Sequence, residues 1–287
     1  MEFEKTFGRR RNGTAITLFH RDGDSSCLKD AHLLHMHPDY ELYFCLCGIC
    51  DFILEGGRYR LQPGQMILTR PGSLHSIDIT KDCRYNRCYI HIPGAYFDDL
   101  VDANASPLRL FSSGISSAVL QGEDFTRVVR LLEDMEQKLS LPDERGEVHA
   151  MADFWQLCAI ATDVLFQGIG EEVNLLHPTV RRTVEYINAN YAKILSVSDV
   201  AEEMGVSPAY LSRLFRAGMK TTVSAYLRFK RMEQARELLR QGKELLEVCD
   251  LCGYSDYSYF IAEFRRQHGI TPMRYRKESA KIEGEQI

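Results

Sequence analysis

Residues 196–220 read SVSDVAEEMGVSPAYLSRLFRAGMK, two short apolar stripes broken by Gly205 and by Ser207-Pro208. Ser198 is expected to cap a first helix carrying Val200, Ala201 and Met204, which Gly205 ends. Ser207, with Pro208 in the first turn, starts a second helix carrying Leu211, Leu214 and Phe215. Two short helices joined by a tight glycine turn form a helix-turn-helix, whose second helix can lie in a DNA major groove.

Residues 245–269, LLEVCDLCGYSDYSYFIAEFRRQHG, repeat the unit, with Gly253 standing 48 residues after Gly205. Val248, Cys249 and Cys252 take the places of Val200, Ala201 and Met204. Ser255 is the expected cap, and Phe260 and Phe264 the buried stripe. Between the units, residues 221–241 have helical periodicity. A rod of about 19 residues spans roughly 28 Å, close to the ~34 Å turn of duplex DNA. Two reading heads so spaced can enter successive major grooves.

Working outward, residues 168–178 read as a linker, and residues 122–170 hold two amphipathic helical stripes. These either cover the core of the preceding domain or pair with a second chain. From about residue 14 to 92, short aromatic and β-branched runs alternate with turns at Asp22-Gly23, Gly56-Gly57, Pro63-Gly64 and Pro71-Gly72, which predicts an all-β barrel or sandwich. The fold class is therefore α+β, with domains at 1–121 (β), 122–170 (helical dimerisation segment), 171–177 (linker) and 178–287 (all-α, two helix-turn-helix units).

The net charge of −5 is unevenly divided. Residues 1–174 hold 17 Lys and Arg against 26 Asp and Glu, whereas residues 175–287 hold 18 against 14, so the carboxy-terminal third is the part suited to a polyanion. Charges occupy the place of a signal peptide's apolar stretch, no run approaches a membrane span, and nine irregularly spaced cysteines read as reduced thiols. The expected compartment is the cytoplasm, with no membrane partner.

In the carboxy-terminal part, Leu211-Ser212-Arg213-Leu214-Phe215-Arg216, Arg231 with Ala235 and Leu238-Leu239, Gly253 through Phe260, Phe264-Arg265-Arg266, Gly269-Ile270-Thr271-Pro272 and Tyr275-Arg276 carry one extended pattern. With the β-domain ahead of it, the sequence resembles the AraC family of bacterial transcription regulators across nearly its whole length. The resemblance implies a cupin-like sensor domain, a small-molecule effector, a homodimer, double-stranded DNA and RNA polymerase as partners, and no catalytic residue. Two positions depart from the pattern. Lys220 stands where the family usually has glycine, predicting different cap chemistry, and Ala262-Glu263 stand where a basic residue is common.

Helical geometry assigns Ala209, Ser212, Arg213 and Arg216 to the groove face of the first recognition helix, with Arg213 able to make a bidentate contact to guanine. On the second, Tyr257, Ser258, Ile261 and Ala262 face outward and Arg265 and Arg266 reach the backbone. Tyr254 and Tyr259 are assigned to the core and its rim. Cys249-x-x-Cys252 lies on the buried stripe and lacks a second ligand pair, so it is assigned to packing.

His35, His37, Glu41 and Gly48 match the first cupin motif, and Gly64, Gly72 and His75 partly match the second, with Pro71 displaced by one. The ligand-binding assignment is His35, His37, Glu41, Tyr43 and His75. Three imidazoles and a carboxylate suit a first-row divalent metal such as Mn, Fe, Ni or Zn. The preferred reading is a polar pocket without a cofactor, for a sugar or another small polar metabolite, with the metal kept as the alternative. A metal-dependent cupin isomerase or oxygenase fused to a DNA module is the alternative function. Cys45, Cys47 and Cys50 are read as thiols, with Cys50 on the opposite face from the other two; His91 is read as a satisfied core histidine of its strand, with membership of the pocket as the alternative.

Overall fold

The structure is a computed structural model that describes residues 2–11, 13–24, 34–54, 57–79, 84–97, 117–141, 144–166, 175–194 and 196–277. It divides into two compact units, one up to Leu175 and one from Leu176.

The first unit contains β1 (Glu2–Phe7), β2 (Ile16–Asp24), β3 (Asp39–Cys47), β4 (Cys50–Leu54), β5 (Gly57–Leu61), β6 (Gln65–Thr69), β7 (His75–Asp78), β8 (Arg84–Pro93) and β9 (Ser117–Val119), then α1 (Gly122–Leu139) and α2 (Glu144–Phe166). The strands form a six-stranded sheet, ordered β1-β2-β8-β3-β6-β9, and a three-stranded sheet, β5-β4-β7. Among the described residues the two sheets do not close into the expected barrel. An isolated bridge between His35 and His75 adds one more pairing to the edge at β7.

Strand alternation gives the large sheet two different faces. Leu42, Phe44, Met66, Leu68, Cys88, Ile90 and Ile92 turn to one side and bury against Val128, Leu132 and Met135 of α1 and Phe154, Leu157 and Ala161 of α2. Of the two roles open to the helices, packing on their own domain is therefore realised. Tyr43, Cys45, Ile67 and Tyr85 turn to the other side and meet Cys50, Phe52, Leu54, Leu61 and Ile77 of the small sheet. Cys50 thus joins Cys45 in one layer, correcting the alternation argument: the chain reverses at Gly48 (φ 88°) and returns in the other sheet. Cys45 and Cys50 are buried, while Cys47 is exposed beyond a bulge in β3.

The second unit contains α3 (Pro178–Asn190), α4 (Val197–Met204), α5 (Pro208–Met219), α6 (Val223–Arg240), α7 (Leu245–Leu251) and α8 (Tyr257–His268). The cap of α4 is Ser196, not Ser198: Ser196 accepts from the Asp199 amide while the Asp199 carboxylate accepts from the Ser196 amide, a capping box. Likewise Asp256, not Ser255, caps α8 by accepting from the Tyr259 amide at 2.9 Å. Gly205 and Gly253 end α4 and the α7 turn at φ 70° and 75°. The 18 residues of α6 make a rod of about 27 Å.

One side chain ties this unit together. Arg231, on α6, donates to the Tyr191 carbonyl at 2.9 Å and the Ile194 carbonyl at 2.7 Å, and lies over the Tyr254 ring at 5.3 Å. It thereby fastens the end of α3 and the α7–α8 turn to the rod. Cys249 and Cys252 are buried in the same core, and burial pushes the Cys252 thiol up to about 12. Arg231→Met, which keeps the aliphatic stem but leaves two carbonyls without their donor, is expected to destabilise this unit by about 2–3 kcal/mol in urea unfolding.

Candidate functional site

Glu41 sits in the middle of β3, on the face turned to the small sheet, and is 4% exposed. Its Oε2 accepts from the His37 ring at 2.9 Å and the His91 ring at 3.0 Å, and lies 3.6 Å from His75 Nε2. Burial would raise its carboxyl, but the hydrogen bonds from His37 and His91, with the His75 ring beside them, outweigh that and hold it well below the usual carboxylate range.

The imidazoles are aimed from behind. His37 Nδ1 meets the Asp39 carbonyl at 3.0 Å and His75 Nδ1 the Ser73 carbonyl at 2.9 Å, so each presents Nε2 to the site. The ring of His35 lies 4.3 Å from that of His75 and 6.1 Å from that of His37. Ligating atoms of His35, His37 and His75, and separately of His37, Glu41 and His91, lie within 4.8 Å of one another. Either triad has the spacing and chemistry to hold a divalent cation. Phe52 stacks on His75 at 5.9 Å, and Phe19 lies 4.9 Å from His91.

His35, His37, Glu41 and His75 are thus brought together, as the motif spacing implied. Tyr43 is not part of the group: it is 1% exposed and its hydroxyl is spent on Tyr85 at 2.6 Å. His91 belongs instead. The signal for it lay in pairing, since β8 runs antiparallel to β3 with His91 directly opposite Glu41. A single-strand reading does not contain that register.

In the second unit, Ala209, Ser212, Arg213 and Arg216 are all exposed on α5, opposite the buried Leu211, Phe215 and Met219. On α8, Ser258, Ala262, Arg265 and Arg266 are exposed. Tyr257 and Ile261 instead pack on the core, and Tyr259, expected at its rim, is 51% exposed. Glu263 is buried, and Arg266 donates to it at 3.1 Å, which occupies that guanidinium.

Lys220 corrects a second expectation. The helix α5 ends in the ordinary left-handed cap, at φ 55°, with the Lys220 amide bonded to the Arg216 carbonyl. The conformation is the one that glycine supplies elsewhere, reached here at a steric cost.

These features define a regulator: a ligand-binding domain followed by a double helix-turn-helix domain. Residues 200–278 match the model of a helix-turn-helix domain and residues 29–148 that of the AraC-like ligand binding domain. The chain belongs to the AraC family of DNA-binding transcription regulators. It is 24% identical over 242 residues to the lactose operon transcription activator of Staphylococcus xylosus, covering 82% of each chain. It is 27% identical over 110 residues to the xylose operon regulatory protein of Escherichia coli K12, covering 38% of this chain and 28% of that one. Among solved structures, the C-terminal domain of AraT, a response regulator from Geobacillus stearothermophilus, is 34% identical with a TM-score of 0.36, covering 37% of this chain and 88% of that one. No helix among the described residues is long and apolar enough to cross a membrane.

Lys220→Gly removes the left-handed penalty and is expected to stabilise the second unit by about 0.5–1 kcal/mol, read as a higher urea midpoint at unchanged slope.

Proposed function

We propose that this protein is a homodimeric, cytoplasmic regulator that senses a small polar metabolite, a sugar by preference, between the two sheets of a cupin-like domain. The observation that carries this reading is the buried Glu41 carboxylate ringed by His37, His75 and His91. A carboxylate and imidazoles at these distances can exchange their mutual hydrogen bonds for bonds to vicinal hydroxyls, and Phe19, Phe52 and Tyr89 supply ring edges beside them. The names of the lactose and xylose operon regulators are compatible with a sugar. Ligand alters DNA occupancy and contact with RNA polymerase only if it prefers one arrangement of the dimer.

A second reading, a divalent metal held by His35, His37, Glu41 and His75 with His91 in reach, is favoured by the two ligand triads. Bound metal would supply Lewis acidity to a substrate oxygen, and with turnover the protein would be a cupin enzyme carrying a DNA module. One experiment separates the two. Elemental analysis of untagged protein is paired with a sugar screen by thermal shift, on the wild type and Glu41→Gln. The sensor reading expects a saturable stabilisation of about 2–4 °C by one metabolite, lost in the variant, without turnover. Stoichiometric metal with turnover would overturn it.

On DNA, Ala209, Ser212, Arg213 and Arg216 of α5 are the proposed direct readers, with Ser258, Ala262 and Arg265 of α8 lying along the second groove. Arg213→Ala is expected to cost about 1–3 kcal/mol of binding and relax the choice of one base. Arg265→Ala weakens binding to all sequences alike and lowers the salt slope by about 1. Gel-shift titrations on specific and scrambled operators at several salt concentrations check both.

A further inference from the structure

Arg87 is 7% exposed, on β8, with its side chain on the face that looks toward the small sheet. Its guanidinium lies over the Tyr89 ring, 5.4 Å from the ring centre, and hydrogen-bonds the Tyr43 hydroxyl, with Tyr85 close by. Its Nε is buried and has no hydrogen-bond partner. No carboxylate among the described residues pairs with it. Glu41 faces the imidazoles, and Asp51 is held by Arg58 and Arg60. The cross-strand neighbour of Arg87 on β2 is another cation, Arg21, which turns away to the Phe3 carbonyl at 2.8 Å and Glu4 at 3.4 Å.

The hydroxyls nearby do not neutralise it. Tyr85 donates to the Cys50 sulfur at 2.7 Å, so the short Tyr43–Tyr85 contact at 2.6 Å is donated by Tyr43. Tyr43 thus has only a neutral lone pair to offer Arg87. An arginine cannot shed its proton to escape burial, and an uncompensated buried guanidinium is costly. Natural folds keep such a charge where something negative arrives.

We infer that Arg87 anchors an anion subsite between the two sheets, taking the carboxylate or phosphate of a small metabolite on its planar fork. The subsite is separate from the histidine pocket. Arg87 and His91 are four residues apart on one strand, roughly 13 Å, and the Phe19, Tyr89 and Tyr43 rings stand in the row between them. It therefore holds whether or not the histidine cluster is the effector pocket.

The test follows the intrinsic fluorescence of Trp155, the chain's one tryptophan, which packs on the core of the first unit and so reports that unit. Melting of the full chain is recorded with sodium phosphate, sodium citrate or sodium chloride at equal ionic strength. The wild type is expected to gain about 2–4 °C, saturably, in phosphate or citrate over chloride, the more effective anion naming the class of group. Arg87→Met should melt no lower than wild type in chloride and show no anion-dependent gain. Arg87→Lys, which keeps the charge without the fork, should fold and need about tenfold more anion for the same gain. The inference is overturned if neither anion stabilises the wild type beyond chloride, or if Arg87→Met or Arg87→Lys retains the full gain at the same anion concentration.

Discussion

A carboxylate that is 4% exposed cannot stay charged without polar partners, and Glu41 draws three from separate stretches of chain, with hydrogen bonds from His37 and His91 and the His75 ring 3.6 Å away. His37 comes from the segment before β3, His75 from the start of β7 in the small sheet, and His91 from β8 in the large one. The three rings converge on one oxygen, Oε2, so the gap between the sheets at this end is set by imidazole length. The backbone exchange between His35 and His75, at 2.9 Å in each direction, closes the same corner. Away from it, aromatic and aliphatic side chains around Phe52 and Tyr85 line the interval between the sheets. The site is thus a structural tie of its own domain, and anything that displaces those hydrogen bonds must replace them.

The second unit obeys a different constraint. Its two recognition helices must keep a fixed spacing, and an α-helix provides it because its rise per residue is nearly constant. The rod α6 is useful only if both heads are fastened to it. On one side Phe215 packs edge-on against Tyr226 at 5.7 Å; on the other Phe260 and Phe264 share a core with Met232, Ala235 and Leu239. Arg231 adds the polar fastening that neither apolar seam can, because carbonyls at the end of α3 would otherwise lack a donor.

Periodicity made the two halves and the repeated unit legible, since stripes at 3.6 and 2.0 residues follow from local geometry alone. What escaped were features decided by competition or by pairing. Ser196 and Ser198 are both good caps in isolation, and the box with Asp199 decides between them. Asp256 outcompetes Ser255 by the same local contest. Lys220 misled because residue type was taken to dictate conformation, whereas the α5–α6 corner dictates φ and the residue complies. His91 and the layer of Cys50 depend on which strand lies beside which, and one strand read alone does not carry its neighbour. Tyr257 and Tyr259 exchanged roles because a shift of two residues on a helix is about 200°, enough to move a ring from solvent to core.

Alternation also links the pocket to the helical layer within the first unit. On β3, Glu41 and Tyr43 face the small sheet while Leu42 and Phe44 are buried against α1 and α2; on β8, His91 faces the pocket while Ile90 and Ile92 face the helices. The sheet is one residue thick, so no backbone atom of β3 or β8 can shift at the pocket without carrying a side chain of the helix-facing core with it. That core is close-packed and has little slack to absorb a change of a few tenths of an ångström. The strands' own hydrogen-bonded register resists sliding, because a one-residue slip would turn every pocket residue into the helical layer. The compliant direction left is a tilt of the helical layer over a rigid sheet. On the sensor reading proposed above, a ligand that replaced the imidazole bonds to Glu41 with longer or shorter ones would act along that direction.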